Sequence, residues 1–589
     1  MTFWKTFWAS LVAIIISGVI LLVIFFMLLG SMIAGFSDTS KVKFIKNNTV
    51  LHLKFNQRIG DVSYVSIDPT GFQPLEQLGL IDILNGIEMA KTDPRIKGIF
   101  INTGNLNMGM ATIKEVRAAL EDFQNSGKFL VTYNETYSNK SYYLGSVANE
   151  VYLYPTGLLE FLGLGVEIPF IKTALDKLDV EMQIIRGSNN KFKSAVEPLM
   201  YTEMSNANRI QTKKYLDALW LEILIDIERQ RGISISQLNL IADSALTRTA
   251  ADAVKYKLID GLKYYDEIED LLYTKAEPTL DEKLHLFNFT DYVDHLPKMK
   301  ESNKSKIAVI SLEGDIVDGN GAVGQIGGNS SAELIRKVRK DKTIEVVVLR
   351  VNSPGGSALA SDLIWREVVL TKAAKPVIVS MGDVAASGGY YVACAADKIF
   401  AEPNTITGSI GVFGIIPYTG DLMKNKLGIT FDRVETNSHS VISLNKKLTE
   451  SELKIIQQGV DDIYEDFITK VADGRALTKA EVDSIGQGRV WAGKDAKKIG
   501  LIDEFGGLEA AISEAALMIG DSSANPSVRI YTTNENDKWA ELIKSLDQTK
   551  VNTPGDRLDK KLIELCHYVG YLENSKGIQA RIPYLFWID

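Results

Sequence analysis

A pattern of strand, helix and strand occurs twice in this chain of 589 residues, with the two occurrences about 248 residues apart. "KGIFINTGNLNMGMATI" (97–113) lies over "EVVVLRVNSPGGSALAS" (345–361), and "KFLVTYNETYSNKSYYLGSVANEVYLYP" (128–155) over "PVIVSMGDVAASGGYYVACAADKIFAEP" (376–403). Further on, "LTRTAADAVKYKLIDGL" (246–262) matches "RVWAGKDAKKIGLIDEFG" (489–506), which sets Leu258-Ile259-Asp260 over Leu501-Ile502-Asp503. A period of this length belongs to a duplicated domain, because solenoid units recur at about 20 to 50 residues. Short β-branched runs alternate with amphipathic stretches such as 363–372, so each copy is expected to be α/β, built from βαβ units around a mainly parallel sheet. The expected organisation is a membrane anchor over 1–37, repeats over 45–300 and 301–535, and a helical tail over 536–589.

The anchor is read from a charge gap. From Thr6 to Ser37 there is no charged side chain, and 8–34 is almost wholly apolar. A hydrocarbon core of about 30 Å needs about 20 apolar residues, so this run can span a bilayer with tilt. A cleaved signal peptide would have a shorter apolar region and small residues at its cleavage point, where Met32 and Ile33 fit poorly. Lysines flank the run on both sides, Lys5 before it and Lys41, Lys43 and Lys46 after it, so charge alone does not orient it. The remainder is globular in composition, with 46% apolar and 24% charged residues. A net charge of −9 without a basic cluster argues against a nucleic-acid partner. Cys394 and Cys566 are too few for a disulfide framework and lack metal-ligand spacing, so no metal is expected.

The two copies differ where chemistry could sit. Ser387, Gly388 and Gly389 lie opposite Asn139, Lys140 and Ser141, and Gly355 and Gly356 lie opposite Asn107 and Met108. Residues needed merely to pack the shared fold should be needed in both copies, so the contrast points to function in the second. A nucleophilic serine needs a base. His439, in "VETNSHSVISL", could approach Ser387, but nothing nearby marks the acid that would orient it. A lysine is the other route, and "RGSNNKFKSAVEPLMYTEMS" (186–205) offers Lys193, which precedes a small and then apolar stretch suited to a partly apolar site. Lys191 shares its face if the segment is extended. The corresponding part of the second copy, 436–445, has no lysine. One copy therefore holds a serine without a lysine, and the other a lysine without the serine.

For Lys193 to act as a base, burial must lower its affinity for protons from an ordinary value of about 10.4 toward neutrality. The oxyanion formed by attack on a carbonyl needs preorganised N–H donors, and glycine lets a backbone come close enough to supply them. Gly388, next to the serine, and Gly356, after the strand at 346–351, are the expected donors. Gly355 and Gly389 are expected to shape the loops, and tight strand-to-helix turns would also account for both glycine pairs.

Taken together, the apolar amino terminus, both repeats, "KSAVEP" (193–198), "RVNSPGGS" (350–357), "AASGGYY" (385–391) and "TGSIGVFG" (407–414) resemble the long form of the signal peptide peptidase A family. "SPGG" alone is also similar to Clp-type proteases and the wider crotonase-like fold. The resemblance implies tandem ClpP/crotonase-like domains and a membrane-anchored bacterial serine protease with a Ser-Lys dyad. The bulk of the chain would lie outside the cytoplasmic membrane, assembled as a homotetramer. It implies Ser387 as nucleophile, Lys193 as general base and Ser409 as the residue that orients the lysine. No cofactor is implied, and the substrates would be released signal peptides and other apolar extended peptides. A crotonase-like acyl-CoA enzyme is the alternative, but neither an adenine and phosphate pocket nor acidic groups at the Ser387 loop can be found in the sequence.

Overall fold

The computed structural model describes residues 44–581 except 56, 68–73, 105, 278–282, 297–304, 524–525 and 534–576. The expected anchor over 1–37 and most of the expected tail lie outside the described residues. Among those described, no helix is long and apolar enough to cross a membrane.

The first half supplies β1 (Thr49–Lys54), β2 (Ile96–Asn102), β3 (Phe129–Tyr137), β4 (Glu150–Leu159), β5 (Glu181–Arg186), β6 (Gly261–Leu262) and β7 (His285–Asn288). Six of them form a wholly parallel sheet in the order β6-β4-β3-β2-β1-β7. The second half supplies β8 (Ile307–Glu313), β9 (Asp315–Val317), β10 (Gln325–Gly327), β11 (Val346–Ser353), β12 (Gly355–Ser357), β13 (Val377–Ala386), β14 (Lys398–Ala401), β15 (Ile406–Gly408), β16 (Phe413–Tyr418), β17 (Val490–Ala492), β18 (Glu504–Phe505), β19 (Val528–Tyr531) and β20 (Gly577–Arg581). Its main sheet runs β17-β15-β13-β11-β8-β19, with β14 and β18 attached through β13. Central strands such as β8 and β11 are nearly continuous apolar runs because parallel strands are covered on both faces.

Six helices bear on the site: α1 (Met110–Asn125), α2 (Asn139–Gly145), α3 (Asn206–Arg231), α4 (Gly388–Ala393), α5 (Glu450–Arg475) and α6 (Leu508–Met518). The duplicated sequence folds into duplicated hydrogen bonds. The Tyr142 hydroxyl donates to the Leu258 carbonyl at 2.7 Å, and that of Tyr390 to the Leu501 carbonyl at 2.9 Å. Asp260 and Asp503, which close the two Leu-Ile-Asp segments, accept the backbone N–H of Val151 and Ile399, each at 2.7 Å. Each is also gripped by the last arginine of a 26-residue helix, Arg231 of α3 or Arg475 of α5. The repeat is therefore legible because the same polar contacts must be satisfied twice.

The halves are joined by groups that each lends to the other. Helix α1 begins after Gly109, which has no side chain to cap it, and the Thr112 N–H donates instead to Asp383 of the second half at 2.9 Å. Helix α6 begins after Gly507, and the Leu508 N–H donates to Glu115 of the first half at 2.6 Å. Side chains at either glycine would collide with the borrowed carboxylate: a Cβ on Gly109 would stand 2.0 Å from Asp383, and one on Gly507 2.1 Å from Glu115. Between these caps lies buried Arg350 of β11, bonded to Asp61 at 2.9 Å and to Glu115 at 2.7 Å. A third sheet, β10-β9-β12-β20-β16-β5, draws strands from both halves, with β5 antiparallel to β16 over the full length of each.

One expectation is corrected here. The tail segment Gly577–Arg581 is a strand and not a helix. The edges of β12 and β16 offer backbone N–H and C=O groups on both sides of it, and satisfying them outweighs local helical preference.

Because Asp61 and Glu115 are buried with Arg350 as their shared counter-ion, Arg350→Ala leaves two carboxylates without compensation. It is expected to lower stability by about 3–5 kcal/mol. Chemical denaturation should show this as a lower midpoint, and an unchanged midpoint would mean that the halves are held by other contacts.

Candidate active site

The seam between the halves brings three residues together. Lys193, Ser387 and Ser409 expose no surface. Lys193 Nζ lies 2.8 Å from Ser387 Oγ, 3.1 Å from Ser409 Oγ and 3.2 Å from the Ser409 carbonyl oxygen. Ser387 and Lys193 are 194 positions apart in sequence, and the β5–β16 ladder closes that distance. Strand β5 leads into the turn that carries Lys193, while β16 follows directly from Ser409 and Gly411.

Ser387 follows β13 and precedes α4 with φ +54° and ψ −114°. A non-glycine residue in this region stores about 1–3 kcal/mol of backbone strain. The surroundings hold it there: the Ser387 N–H donates to the Gly408 carbonyl at 2.8 Å, and its own carbonyl accepts the Tyr391 N–H at 2.8 Å. The first copy shows the relaxed counterpart. There Asn139, opposite Ser387, is already the first residue of the equivalent helix α2 and has no positive φ, and the helix is capped one position earlier by Ser138 in an ordinary extended conformation, φ −80° and ψ 172°. The strain accompanies the serine of the second copy.

Around Lys193 the packing is apolar and drawn from both halves. Ala195, Val196 and Leu199 cluster with Phe413 and Ile415, and the Phe413 ring centroid is 5.8 Å from the amine. Burial holds the Lys193 ammonium well below its usual pKa, with no neighbouring charge as the cause. A neutral amine has two N–H groups and one lone pair. Ser409 Oγ donates to the Gly488 carbonyl at 3.3 Å, so its lone pairs are left to accept from Nζ. The Ser409 carbonyl accepts as well. Those two acceptors use both N–H groups, and the lone pair is left for the Ser387 hydroxyl, which is the geometry of a base set against a nucleophile.

The other singled-out residues sort as follows. Lys191 is exposed, over the face of Phe192. His439 lies in an exposed loop, 3.9 Å from Glu452. Gly388 opens α4 beside Ser387, and Gly356 lies in β12. Packing alone already requires two of the glycines: a Cβ on Gly356 would stand 1.9 Å from the Ile316 carbonyl oxygen, and one on Gly389 2.7 Å from that of Ser353. Gly355 has φ +102°. The contrast between copies thus reflects tight backbone approach as well as any chemistry. Cys394 is buried, its thiol pushed up to about 12 by burial, so it is no nucleophile. Among the described residues, no cluster of three or more His, Cys, Asp or Glu is arranged to hold a metal ion.

Three residues of the site escape a sequence reading. Gly488, at φ +78°, lies against Lys193, and a Cβ there would be 2.4 Å from the lysine Cβ. Gly411 leaves room for the lysine chain, with a Cβ position 3.3 Å from Cδ. Gln211 of α3 clasps the lysine turn: its amide nitrogen donates to the Phe192 carbonyl at 3.0 Å and to Ser194 Oγ at 2.8 Å, and its oxygen accepts the Val490 N–H at 3.2 Å. No local motif marks Gly488 or Gln211, and although Gly411 falls within "TGSIGVFG", nothing local shows what it makes room for, because the partners of all three are distant in the chain.

The chain is similar to known proteins in both halves. The model of peptidase family S49 matches residues 122–277 and 370–520, one stretch in each half. The chain is 37% identical over 457 residues to Protease 4 of Salmonella typhi, covering 75% of this chain and 72% of that protein. It is 35% identical over 455 residues to Protease 4 of Haemophilus influenzae, covering 75% and 73%. It is 32% identical over 519 residues to the chloroplastic serine protease SPPA of Arabidopsis thaliana, covering 86% and 74%.

The space that Gly488 leaves for Lys193 gives a direct test. Gly488→Ala combines a disfavoured backbone conformation with a clash against the lysine and is expected to cost about 1–3 kcal/mol of stability. Displacing the amine should also lower kcat by about 10²-fold. Thermal melts and steady-state kinetics on the same preparation measure both, and a fully active variant would show that the lysine turn tolerates displacement.

Proposed function

The chain belongs to peptidase family S49 and is a serine protease, and we propose that it works through a dyad in which Ser387 is the nucleophile and Lys193 the general base. The observation that carries this reading is the 2.8 Å approach of Nζ to Oγ in a site where the amine is wholly buried. Neutral Nζ takes the hydroxyl proton as Oγ attacks the peptide carbonyl carbon. The resulting oxyanion is stabilised by the N–H groups of Gly388 and Gly356. As the C–N bond breaks, the ammonium returns its proton to the leaving nitrogen and an acyl-enzyme remains. Nζ then activates a water that attacks the ester and frees Ser387. Ser409 orients the amine throughout, and Gly355 and Gly389 hold the loops that carry the donors.

The substrates are extended apolar peptides, released signal peptides among them, cleaved at the cytoplasmic membrane. The apolar run over 1–37 supports a retained anchor with the catalytic halves on the extracytoplasmic side. Resemblance to the signal peptide peptidase A family supports tandem ClpP/crotonase-like domains, a homotetramer and the substrate class. The acyl-CoA reading gains nothing from the site or from the relatives.

Ser387→Ala and Lys193→Arg should each reduce peptide hydrolysis by at least about 10²–10⁴-fold while leaving the fold intact, since arginine stays charged and cannot accept the proton. In the wild type, kcat/KM should rise with pH through the depressed pKa of Lys193, because only the neutral amine is competent. An active Lys193→Arg enzyme, or a rate independent of pH, would remove the lysine from the mechanism.

The substrate class is tested by comparing a synthetic signal peptide, a charged unstructured peptide of equal length and a folded protein. Cleavage is expected to be fastest on the first and negligible on the third. Equal rates on the first two would discard the apolar preference.

A further inference from the structure

A cavity of about 480 Å³ opens at the β7 edge of the first sheet. Its lining includes Phe44, Lys46, His52, Lys54, His285 and Asp291. Both lysines are exposed, and neither is ion-paired among the described residues. Two lysines against one aspartate leave the lining with one net positive charge. Hydrogen bonds fix how the two histidines are presented. The Asn102 amide nitrogen donates to the Tyr133 carbonyl at 2.5 Å, so its oxygen accepts from Nε2–H of His52 at 2.6 Å. The Thr49 hydroxyl donates to the Lys46 carbonyl at 2.8 Å, so its oxygen accepts from Nδ1–H of His285 at 2.7 Å. Burial, with Lys54 close by, holds His52 down at about 4, and burial with Lys46 close by lowers His285 as well. Both rings are therefore neutral near pH 7, and each keeps one lone pair, on Nδ1 of His52 and on Nε2 of His285.

We propose that this cavity binds a phosphodiester with a hydroxylated substituent, such as a phosphoglycerol group, its phosphate held by Lys46 and Lys54 and its hydroxyls donating to His52 and His285. The charges match, because a diester keeps one negative charge near neutrality. Lysine ammoniums hold phosphate as point charges on flexible stems. Bare imidazole nitrogens repel an anion and welcome a donor, so the histidines select for hydroxyls beside the phosphate and against an ion that brings charge alone. Two sources supply such a group, a lipid headgroup and a free glycerophosphodiester, and position favours the lipid. Phe44 stands seven residues beyond Ser37, where the uncharged run ends, and that stretch of chain reaches at most about 25 Å. On the proposed reading of the run as a retained anchor, on which the choice of source rests, the cavity stays close to the headgroups. Phe44 is 76% exposed and offers an apolar surface beside which an acyl chain would lie.

The test uses the full-length chain in nonionic detergent and reads binding by calorimetric titration. Glycerophosphoglycerol, which is the headgroup without acyl chains, and short-chain phosphatidylglycerol should each bind saturably, the lipid about tenfold or more tighter because of its buried methylenes. Lys46→Glu and Lys54→Glu, both at exposed positions, should each weaken the two ligands by about tenfold or more. Short-chain phosphatidylmethanol has the same charge but no hydroxyl, and should bind about tenfold more weakly than phosphatidylglycerol. His285→Phe should narrow that difference. Equal affinity for the soluble diester and the lipid would keep the site and assign it to a free diester. The soluble arm needs no membrane and no turnover, so it decides the site even if the apolar run is not an anchor or Ser387 is not the nucleophile. Unchanged affinity in both lysine variants, with thermal melts showing them folded, or phosphatidylmethanol bound as tightly as phosphatidylglycerol, would overturn the inference.

Discussion

With no neighbouring positive charge to lower its affinity for protons, the Lys193 amine depends on a place where water cannot solvate its charged form, and that dry place is built by two halves of the chain together. The first half contributes the lysine, the turn at Ser194–Val196 and the clasp of Gln211. The second contributes Phe413, both oxygens of Ser409 and the glycines that make room for the side chain. Neither half could bury the amine alone. The antiparallel pairing of β5 with β16 is the mechanical step that inserts one into the other, and it spends ordinary backbone hydrogen bonds to place an unusual side chain.

That dependence explains why the seam is so heavily bonded. In the proposed mechanism a misplacement of about 1 Å between Lys193 and Ser387 is enough to cost activity, so the halves must not slide. Asp383 caps a helix of the first half, and Glu115 caps one of the second. Arg350 ties Glu115 and Asp61 to β11, the strand that runs into the glycine loop. The positive φ angles of Ser387 and Ser409 add strain that this framework must hold. Removing one half would release the strain, expose the lysine and uncap the helices at the same time.

The same sheet that joins the halves also passes beside Ser387, through the segment that leads into β16. Its strands β12 and β16 are each paired with β20, one on either side of it. Strand β20 pairs with both of them and so keeps these edges from pairing with a neighbouring molecule.

The sequence by itself determined the duplication, the α/β class and the division of serine and lysine between copies. Each of these follows from local pattern: β-branched runs, helical periodicity, and two Leu-Ile-Asp segments whose aspartates make the same bonds twice. It could not separate chemistry from packing at Gly356 and Gly389, because a glycine needed to pass a carbonyl oxygen and one needed to approach a substrate look alike in one dimension. The resemblance already pointed to Lys193, while residue pattern alone left Lys191 open beside it; only the tertiary structure brought the Lys193 amine to Ser387, set Gly488 and Gln211 against its turn, and made Gly577–Arg581 a strand. The reason is physical. Burial, capping across a seam and backbone pairing are set by which distant segments meet, and a backbone hydrogen bond leaves almost no trace in the side chains that flank it.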